Sequence, residues 1–368
     1  MLFKRKSDTE KQNEVSKKPR SPLKLFMTAF LVTTGAILLV GGGAWFAISN
    51  TVRPPEIPVI AAVPHIHTQM VSSENDVDEG SDDELLPPQL LQFEERKPMF
   101  FTFLIFGLTQ GLNANTIMVA AYDAQAGQGY IISIPRDTLV DVQRNSRKIV
   151  SAYPVGRLHG GGHEGGVERM KYEVSTLIGF RPDFYVSVDY EAFIRMVNSI
   201  GGVEIYVPFR MYYHDPFQDL YIDLQEGLQV LNGEDALRFA RYRTGTPGIS
   251  PTISDYQRIE HQQQVLAAVA SQLLTPASIL RIPELAGIFN DHVYSDLAMG
   301  ELLWFANEAR GLSGMSGALH LYTLPMLGTS GAPSWYELAD EEGILELINR
   351  TINPFIRDIT AEDLRIVQ

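Results

Sequence analysis

The sequence predicts a single layered α/β domain with a central mixed sheet flanked by helices, preceded by one transmembrane helix. Three observations carry that reading. Residues 25–48, LFMTAFLVTTGAILLVGGGAWFAI, hold no charged side chain. Beyond residue 100, apolar runs of strand character alternate with amphipathic runs of helical period, the pattern of interleaved strands and helices. No internal repeat is present.

At 1.5 Å per residue the uncharged run crosses a hydrocarbon core of roughly 30 Å with room for tilt. A helix there satisfies its own backbone, because lipid offers no partners. Upstream stand Lys4, Arg5, Lys6, Lys11, Lys17, Lys18, Arg20 and Lys24, against Asp8, Glu10 and Glu14. This basic excess predicts a cytoplasmic tail at 1–24 and export of everything after Ile48. The expected location is the cell membrane, single-pass, with the N-terminus cytoplasmic and the main domain extracytoplasmic. Trp45 and Phe46 fit an outer aromatic belt. A cleaved signal peptide has an apolar region of about 7–15 residues, so the longer run reads as an anchor.

Composition excludes several chemistries. The chain has no cysteine, which removes zinc–thiolate, iron–sulfur and cysteine-nucleophile sites. A domain of this size buries enough apolar surface without disulfides. The net charge is −14 and the basic residues are concentrated before the span, the reverse of a nucleic-acid binder. The partners expected are therefore not nucleic acids.

Residues 49–98 read as a linker. They hold Pro54, Pro55, Pro58, Pro64, Pro87, Pro88 and the acidic run SSENDVDEGSDDE at 72–84. Low hydrophobicity and like charge predict an extended, disordered spacer. A calcium loop is disfavoured, since no glutamate stands at its closing position.

The domain proper is expected over 99–330, with 331–368 as a C-terminal extension. FTFLIF (Phe101–Phe106) reads as a buried strand ending at Gly107. TIMVAAY (Thr116–Tyr122) and GYIISI (Gly129–Ile134) flank the turn-forming DAQAGQ and predict a hairpin. GRLHGGGHEGG reads as a glycine-rich loop leading into the helix VERMKYEVSTLIGF. DFYVSVD (Asp183–Asp189) is a strand, and YEAFIRMVNSI is a helix that Gly201 and Gly202 stop. VEIYVP is the next strand. GEDALRFARYR (Gly233–Arg243) and DYQRIEHQQQVLAAVASQLL (Asp255–Leu274) are helical, as is EEGILELINR. The glycines between His159 and His163 argue against a metal pair. Phe101, Phe103, Ile105, Met118 and Tyr185 read either as plain core or as the wall of a lipid tunnel.

No serine–histidine–aspartate elbow, HExxH or Walker loop appears. Arginine, however, recurs where strand or helix pattern does not require it. Arg136 and Asp137 follow GYIISI through Pro135, Arg241 and Arg243 lie two apart, and Arg258 sits one turn before Gln262. A guanidinium fork binds phosphate oxygens bidentately and keeps its charge. Arginines converging from separate elements would suit a pyrophosphate; surface ion pairs with the abundant acids are the alternative.

The ordered set IPRD, IGGVE, LNGEDALRFARYR and D-x-x-R-x-x-x-Q resembles the LytR-CpsA-Psr family, closely over about 100–275. The resemblance implies transfer of a glycopolymer from an undecaprenyl-pyrophosphate carrier onto peptidoglycan, with magnesium on the pyrophosphate and an apolar tunnel for the lipid. It implies as partners a polyprenyl-pyrophosphate-linked glycan, peptidoglycan or another envelope acceptor, and the membrane. By position, Arg136, Asp137, Arg241, Arg243, Asp255, Arg258 and Gln262 match the family's site. Arg136, Arg241, Arg243, Arg258 and Gln262 would clamp the pyrophosphate. Asp137 or Asp255 would orient an arginine or assist proton transfer.

This chain departs from the pattern at the metal. The family's two metal-holding aspartates are replaced by Thr109 and Asn115, two of its arginines by Gly111 and Asn113, and one more by His261. Magnesium favours charged oxygens, so the resemblance implies the metal while these residues argue against it. Two functions follow: a phosphotransferase, or a binding module that keeps the fold and the polyprenyl-phosphate pocket without catalysis. A scaffold that binds no lipid is a third.

Overall fold

Strand β1 (Phe100–Leu108) begins the fold, with apolar side chains on both of its faces. The computed structural model describes residues 52–57, 95–109, 113–217, 220–273, 281–312, 318–331 and 335–367. The expected membrane span and most of the expected linker lie outside the described residues. Among the described residues no helix is long and apolar enough to cross a membrane. The elements below belong to one compact unit, Pro54–Gln368.

Strands β2 (Ala114–Asp123) and β3 (Gln128–Ile134) form the expected hairpin. Asp123 closes its turn: Oδ1 accepts from the backbone N–H groups of Gln125 at 3.0 Å and Ala126 at 2.9 Å. β1 pairs antiparallel with β2 and parallel with β4 (Phe184–Asp189). Two smaller ribbons come next in sequence, built from β5 (Val203–Val207) with β8 (Gly227–Leu231) and from β6 (Met211–Asp215) with β7 (Leu220–Leu224). β9 (Val293–Ser295) and β10 (Leu319–Thr323) complete the main sheet, in the order β10-β3-β2-β1-β4-β9. β10–β3 and β1–β4 are parallel and the other pairs antiparallel. The sheet is mixed, as the sequence predicts. β11 (Met326–Thr329) pairs with β12 (Glu337–Ala339) beside it.

Strand periodicity divides the sheet into two faces. Leu104, Phe106, Ile117, Val119, Ile132 and Ile134 belong to the larger core. Each such side chain, fully buried, contributes roughly 1.5–3 kcal/mol. Phe101, Phe103, Ile105, Met118, Ala120 and Ile131 lie on the opposite face. Tyr185 does not join them; it packs against Phe106 on the first face. The other named aromatics are packed as core: Phe101 lies 5.5 Å from the Trp304 ring and 5.2 Å from Phe305.

The glycine-rich segment is helical, contrary to the loop expected of it. A short helix α1 (Ala152–Gly156) runs through one wide turn, Arg157–Gly161, into α2 (Gly162–Ile178). The glycines serve close approach: a Cβ on Gly165 would lie 2.7 Å from the Gly156 carbonyl oxygen. α1 can therefore lie flat on α2, with Tyr153 over Gly166. His159 and His163 go to different partners, the Val155 carbonyl and the Tyr153 hydroxyl, each at 2.8 Å.

α3 (Tyr190–Ser199) starts at the end of β4, where Asp189 Oδ1 accepts from Ala192 N at 2.7 Å. It stops at Gly201 and Gly202, with φ of 87° and 89°, a region L side chains rarely adopt. α4 (Gly233–Arg241) is capped by Asn232, whose Oδ1 accepts from Asp235 N at 2.9 Å. α5 (Asp255–Leu273) links the main sheet to a second core: Gln263 Nε2 donates to Ser133 Oγ at 3.0 Å and to the Tyr322 carbonyl at 2.8 Å, while Val265 and Val269 pack with Val197, Ile205, Ile222 and Phe239. α6 (Ile282–His292) follows, and α7 (Met299–Leu312) brings Trp304 and Phe305 onto the sheet.

The stretch set aside as an extension is integral to the main core. α8 (Glu341–Thr351) contributes Ile344, Leu347 and Ile348, and Phe355, Ile359 and Leu364 join the same cluster. Glu337 N donates to the Asp137 carbonyl at 3.0 Å, and Leu139 N to the Glu337 carbonyl at 2.9 Å. Arg96 bridges to Phe355. The folded body thus runs past 330 because its C-terminal helix covers the same sheet face as α2.

Candidate functional site

The C-terminal ends of β1, β3 and β4 and the first residues of β2 lie at one edge of the sheet, since β2 alone among them runs the other way. Crevices outside strand carboxyl ends are where α/β sheets place ligands. Here a cavity of about 540 Å³ opens, with Thr109 and Asn115 at the strand ends and Arg136, Arg241, Arg243, Arg258 and Gln262 around it. Every arginine predicted to clamp a pyrophosphate reaches this one cavity, as does Gln262.

Local structure explains the convergence. Pro135 ends β3 and turns Arg136 toward the cavity wall. α4 ends at Arg241, two residues earlier than the sequence pattern suggests, and Tyr242 is extended at φ −58°, ψ 128°. Tyr242 is fully buried and its hydroxyl donates to the Pro251 carbonyl. Arg241, the last residue of α4, and Arg243, just beyond the buried Tyr242, both line the cavity. On α5, Arg258 and Gln262 are four apart and share a face.

One carboxylate organises three of these arginines. Asp255 Oδ1 lies 2.9 Å from Arg258 Nη2, 3.8 Å from Arg136 Nε and 3.9 Å from Arg243 Nε. Neither Asp255 nor Asp137 lines the cavity. Asp137 is held by Lys148 Nζ at 3.0 Å, with Arg136 Nε at 3.9 Å. Asp255 thus stands among three arginines, whereas Asp137 pairs most closely with Lys148 and meets Arg136 alone. The described walls therefore carry four arginines and no carboxylate. Arg136 Nε and Arg258 Nε are buried without a hydrogen-bond partner, a costly state unless a ligand or water supplies acceptors. Burial depresses the Arg258 guanidinium below its ordinary value and Asp255 opposes this, while Arg136 and Arg243 add to the depression. Arginine stays charged throughout.

Tyr190, which the sequence reading missed, forms part of the same wall. The Arg241 guanidinium sits 4.8 Å from its ring centroid, within cation–π range. Burial raises the Tyr190 phenol, against the pull of Arg241 and Arg258. Its signal in sequence is its place directly after Asp189, the residue that caps α3. Thr116, which opens the TIM run, also lines the cavity, as do Tyr213 and Thr244, which carried no motif. His261, by contrast, leaves the site. It packs 4.5 Å from the Phe239 ring, and burial pulls its pKa down to about 4.

A magnesium ion does not fit these residues. At the two positions where the resemblance places aspartates, Thr109 and Asn115 offer a hydroxyl and an amide. The nearby carboxylates are engaged by cations behind the wall. A hard dication needs charged oxygen ligands that the described walls do not present.

Comparison with known proteins agrees with this architecture. The LytR_cpsA_psr family profile matches residues 65–351. Regulatory protein MsrR of Staphylococcus aureus (strain COL) is 27% identical over 186 residues, 50% of this chain and 51% of that protein. The polyisoprenyl-teichoic acid–peptidoglycan teichoic acid transferase TagV of Bacillus subtilis (strain 168) is 25% identical over 272 residues, 70% of this chain and 64% of TagV. This chain thus spans about half the length of MsrR and under two thirds of TagV. The crystal structure of B. subtilis TagV superposes with a TM-score of 0.55 at 23% identity, covering 68% of this chain and 95% of that one, which shows a shared fold.

Proposed function

Since this chain belongs to the LytR_cpsA_psr family, we propose that it binds a glycopolymer on a polyprenyl-pyrophosphate carrier and transfers it to a cell-wall acceptor. The observation that carries this reading is the convergence of Arg136, Arg241, Arg243 and Arg258, with Gln262, on one cavity whose described walls hold no carboxylate. Such a cavity is built for an anion with charge on both phosphorus atoms, and guanidinium forks match its oxygens in pairs. TagV's activity as a teichoic acid transferase supports the reaction class.

In the transfer, an acceptor hydroxyl oxygen bonds to the sugar-linked phosphorus. The bridging P–O bond breaks, polyprenyl phosphate leaves, and the hydroxyl proton passes to water. The arginines, preorganised by Asp255, stabilise the charge that develops on the phosphoryl oxygens. No step runs through a metal. In this reading the uncharged run at 25–48 anchors the chain, and the spacer after it, which ends before Arg96 pairs with Phe355, holds the domain near the outer leaflet, where a lipid-linked donor presents its pyrophosphate.

Thr109 and Asn115 favour a second reading, in which the same pocket holds the carrier lipid without catalysis. The test uses the full-length chain in detergent, a polyprenyl-pyrophosphate glycan and a peptidoglycan acceptor, with magnesium or with EDTA. Turnover that Arg241→Ala abolishes supports the transferase. Tight binding without turnover in either buffer leaves the binding module. Absence of both refutes both readings.

A further inference from the structure

A second cavity, of about 470 Å³, adjoins the first and shares Leu220, Leu237 and Arg241 with it. Its chemistry differs. Its other walls include His214 and Asp215 at the end of β6, Tyr221 on β7, and Glu234 and Arg238 on α4. Acidic and basic groups are balanced here, where the first cavity's described walls are cationic. Arg238 is already committed, at 2.7 Å from Asp235 and 3.4 Å from Glu234. An anion therefore has little reason to settle in this cavity.

Tyr221 supplies the second feature. It is 50% exposed, yet its ring is held edge-on by Tyr212 at 6.1 Å and His214 at 5.8 Å between centroids. Such a braced, solvent-facing ring beside carboxylate and imidazole groups matches a ligand with an apolar C–H face and a rim of hydroxyls. The two cavities are also linked through hydrogen bonding: Tyr213, on the wall of the first, donates from its hydroxyl to Asp215 Oδ2 at 3.2 Å, and Asp215 lines the second.

We infer that this second cavity is a saccharide subsite, which seats a sugar ring against Tyr221 with its hydroxyls paired to Glu234 and Asp215, next to Arg241. The inference rests on the reading of the first cavity as a pyrophosphate site, because a sugar attached to or approaching that phosphorus passes Arg241. The sugar belongs either to the donor or to the acceptor, and the chemistry of recognition is shared.

The experiment titrates the full-length chain with three probes. These are geranyl pyrophosphate, the same lipid carrying one N-acetylhexosamine on its pyrophosphate, and a free N-acetylhexosamine tetrasaccharide. Tyr221→Ala and Glu234→Gln are each expected to weaken a sugar-bearing probe by about five- to tenfold, the worth of one stacked ring or one or two hydrogen bonds. Geranyl pyrophosphate should change by less than about twofold, and Tyr221→Phe should restore sugar binding. Weakening confined to the lipid-linked sugar assigns the cavity to the donor, and weakening confined to the free tetrasaccharide assigns it to the acceptor. If wild type binds no sugar-bearing probe, if both variants bind them unchanged, or if geranyl pyrophosphate weakens equally, the subsite is overturned. If geranyl pyrophosphate fails to bind while Tyr221→Ala still weakens tetrasaccharide binding, the pyrophosphate reading falls and the saccharide subsite stands.

Discussion

Replacing Asp255 by asparagine tests the central physical claim about the arginine cavity. The carboxylate lies 2.9 Å from Arg258 and 3.8 and 3.9 Å from Arg136 and Arg243. Its own side chain is 14% exposed and that of Arg258 is 8% exposed, so water screens the close pair weakly. At an effective dielectric of about 20, each of the two longer pairs has a gross attraction of about 4 kcal/mol. Mutual repulsion of the guanidinium groups and their desolvation offset much of this. Breaking a buried pair by removing one partner costs roughly 3–5 kcal/mol net, and that is the loss of unfolding free energy expected for Asp255→Asn. A pyrophosphate ligand should recover part of it, because the ligand then supplies the missing anion. At a ligand concentration near 100 times Kd, wild type gains about 2.7 kcal/mol by mass action, and the variant is expected to gain more at the same concentration. Urea unfolding of both proteins, with and without geranyl pyrophosphate, reads these quantities. A loss below about 1 kcal/mol, the range of exposed ion pairs, would refute the role of Asp255 as the hub. An equal ligand gain in both proteins would refute the charge argument.

Three further outcomes are expected. Thr109→Asp with Asn115→Asp should create magnesium-dependent binding of geranyl pyrophosphate, whereas wild-type binding should be insensitive to EDTA; an EDTA-sensitive wild type would overturn the donor-set argument. His261 is held near pKa 4 by burial and returns to about 6.5 on unfolding, so the unfolded state binds the extra proton between these values. Stability should therefore fall as pH drops from about 6.5 toward 4, by at most roughly 3 kcal/mol, and His261→Phe should remove that part of the pH dependence in urea titrations. Glu173 is fully buried between Arg144 and Arg169, so Glu173→Gln should cost roughly 3–5 kcal/mol, read as a fall in Tm of about 2–4 °C per kcal/mol.

The legibility of this fold differs from element to element. β1, β2 and β3 declare themselves because both faces are covered and their apolar runs are bounded by turn residues. The 150–166 segment misleads because glycine signals a loop locally, whereas Gly156 and Gly165 are there for a helix–helix contact that no local pattern encodes. The C-terminal stretch reads as an appendage, since Ile344, Phe355 and Leu364 gain meaning only from the sheet face they cover. In the site, Arg136, Arg241, Arg243 and Arg258 stood out by residue type, but spacing alone left surface ion pairs open and the family resemblance singled them out. Tyr190, Tyr213 and the cavity around Tyr221 did not stand out, because aromatic residues at strand and helix ends look the same in core and in site.

By itself the sequence determined the chemistry available: no thiol, a surplus of arginine at motif positions, neutral residues at Thr109 and Asn115, and one uncharged run long enough for a membrane. Those are properties of residue type and local period, which need no third dimension. Only the tertiary structure decided which charges meet. It put Asp255 among three guanidinium groups and Asp137 against Lys148, and it turned His261 into the core beside Phe239. Electrostatic energy depends on separations of a few ångströms between residues distant in the chain, and the packing of α4 and α5 against the sheet sets those separations.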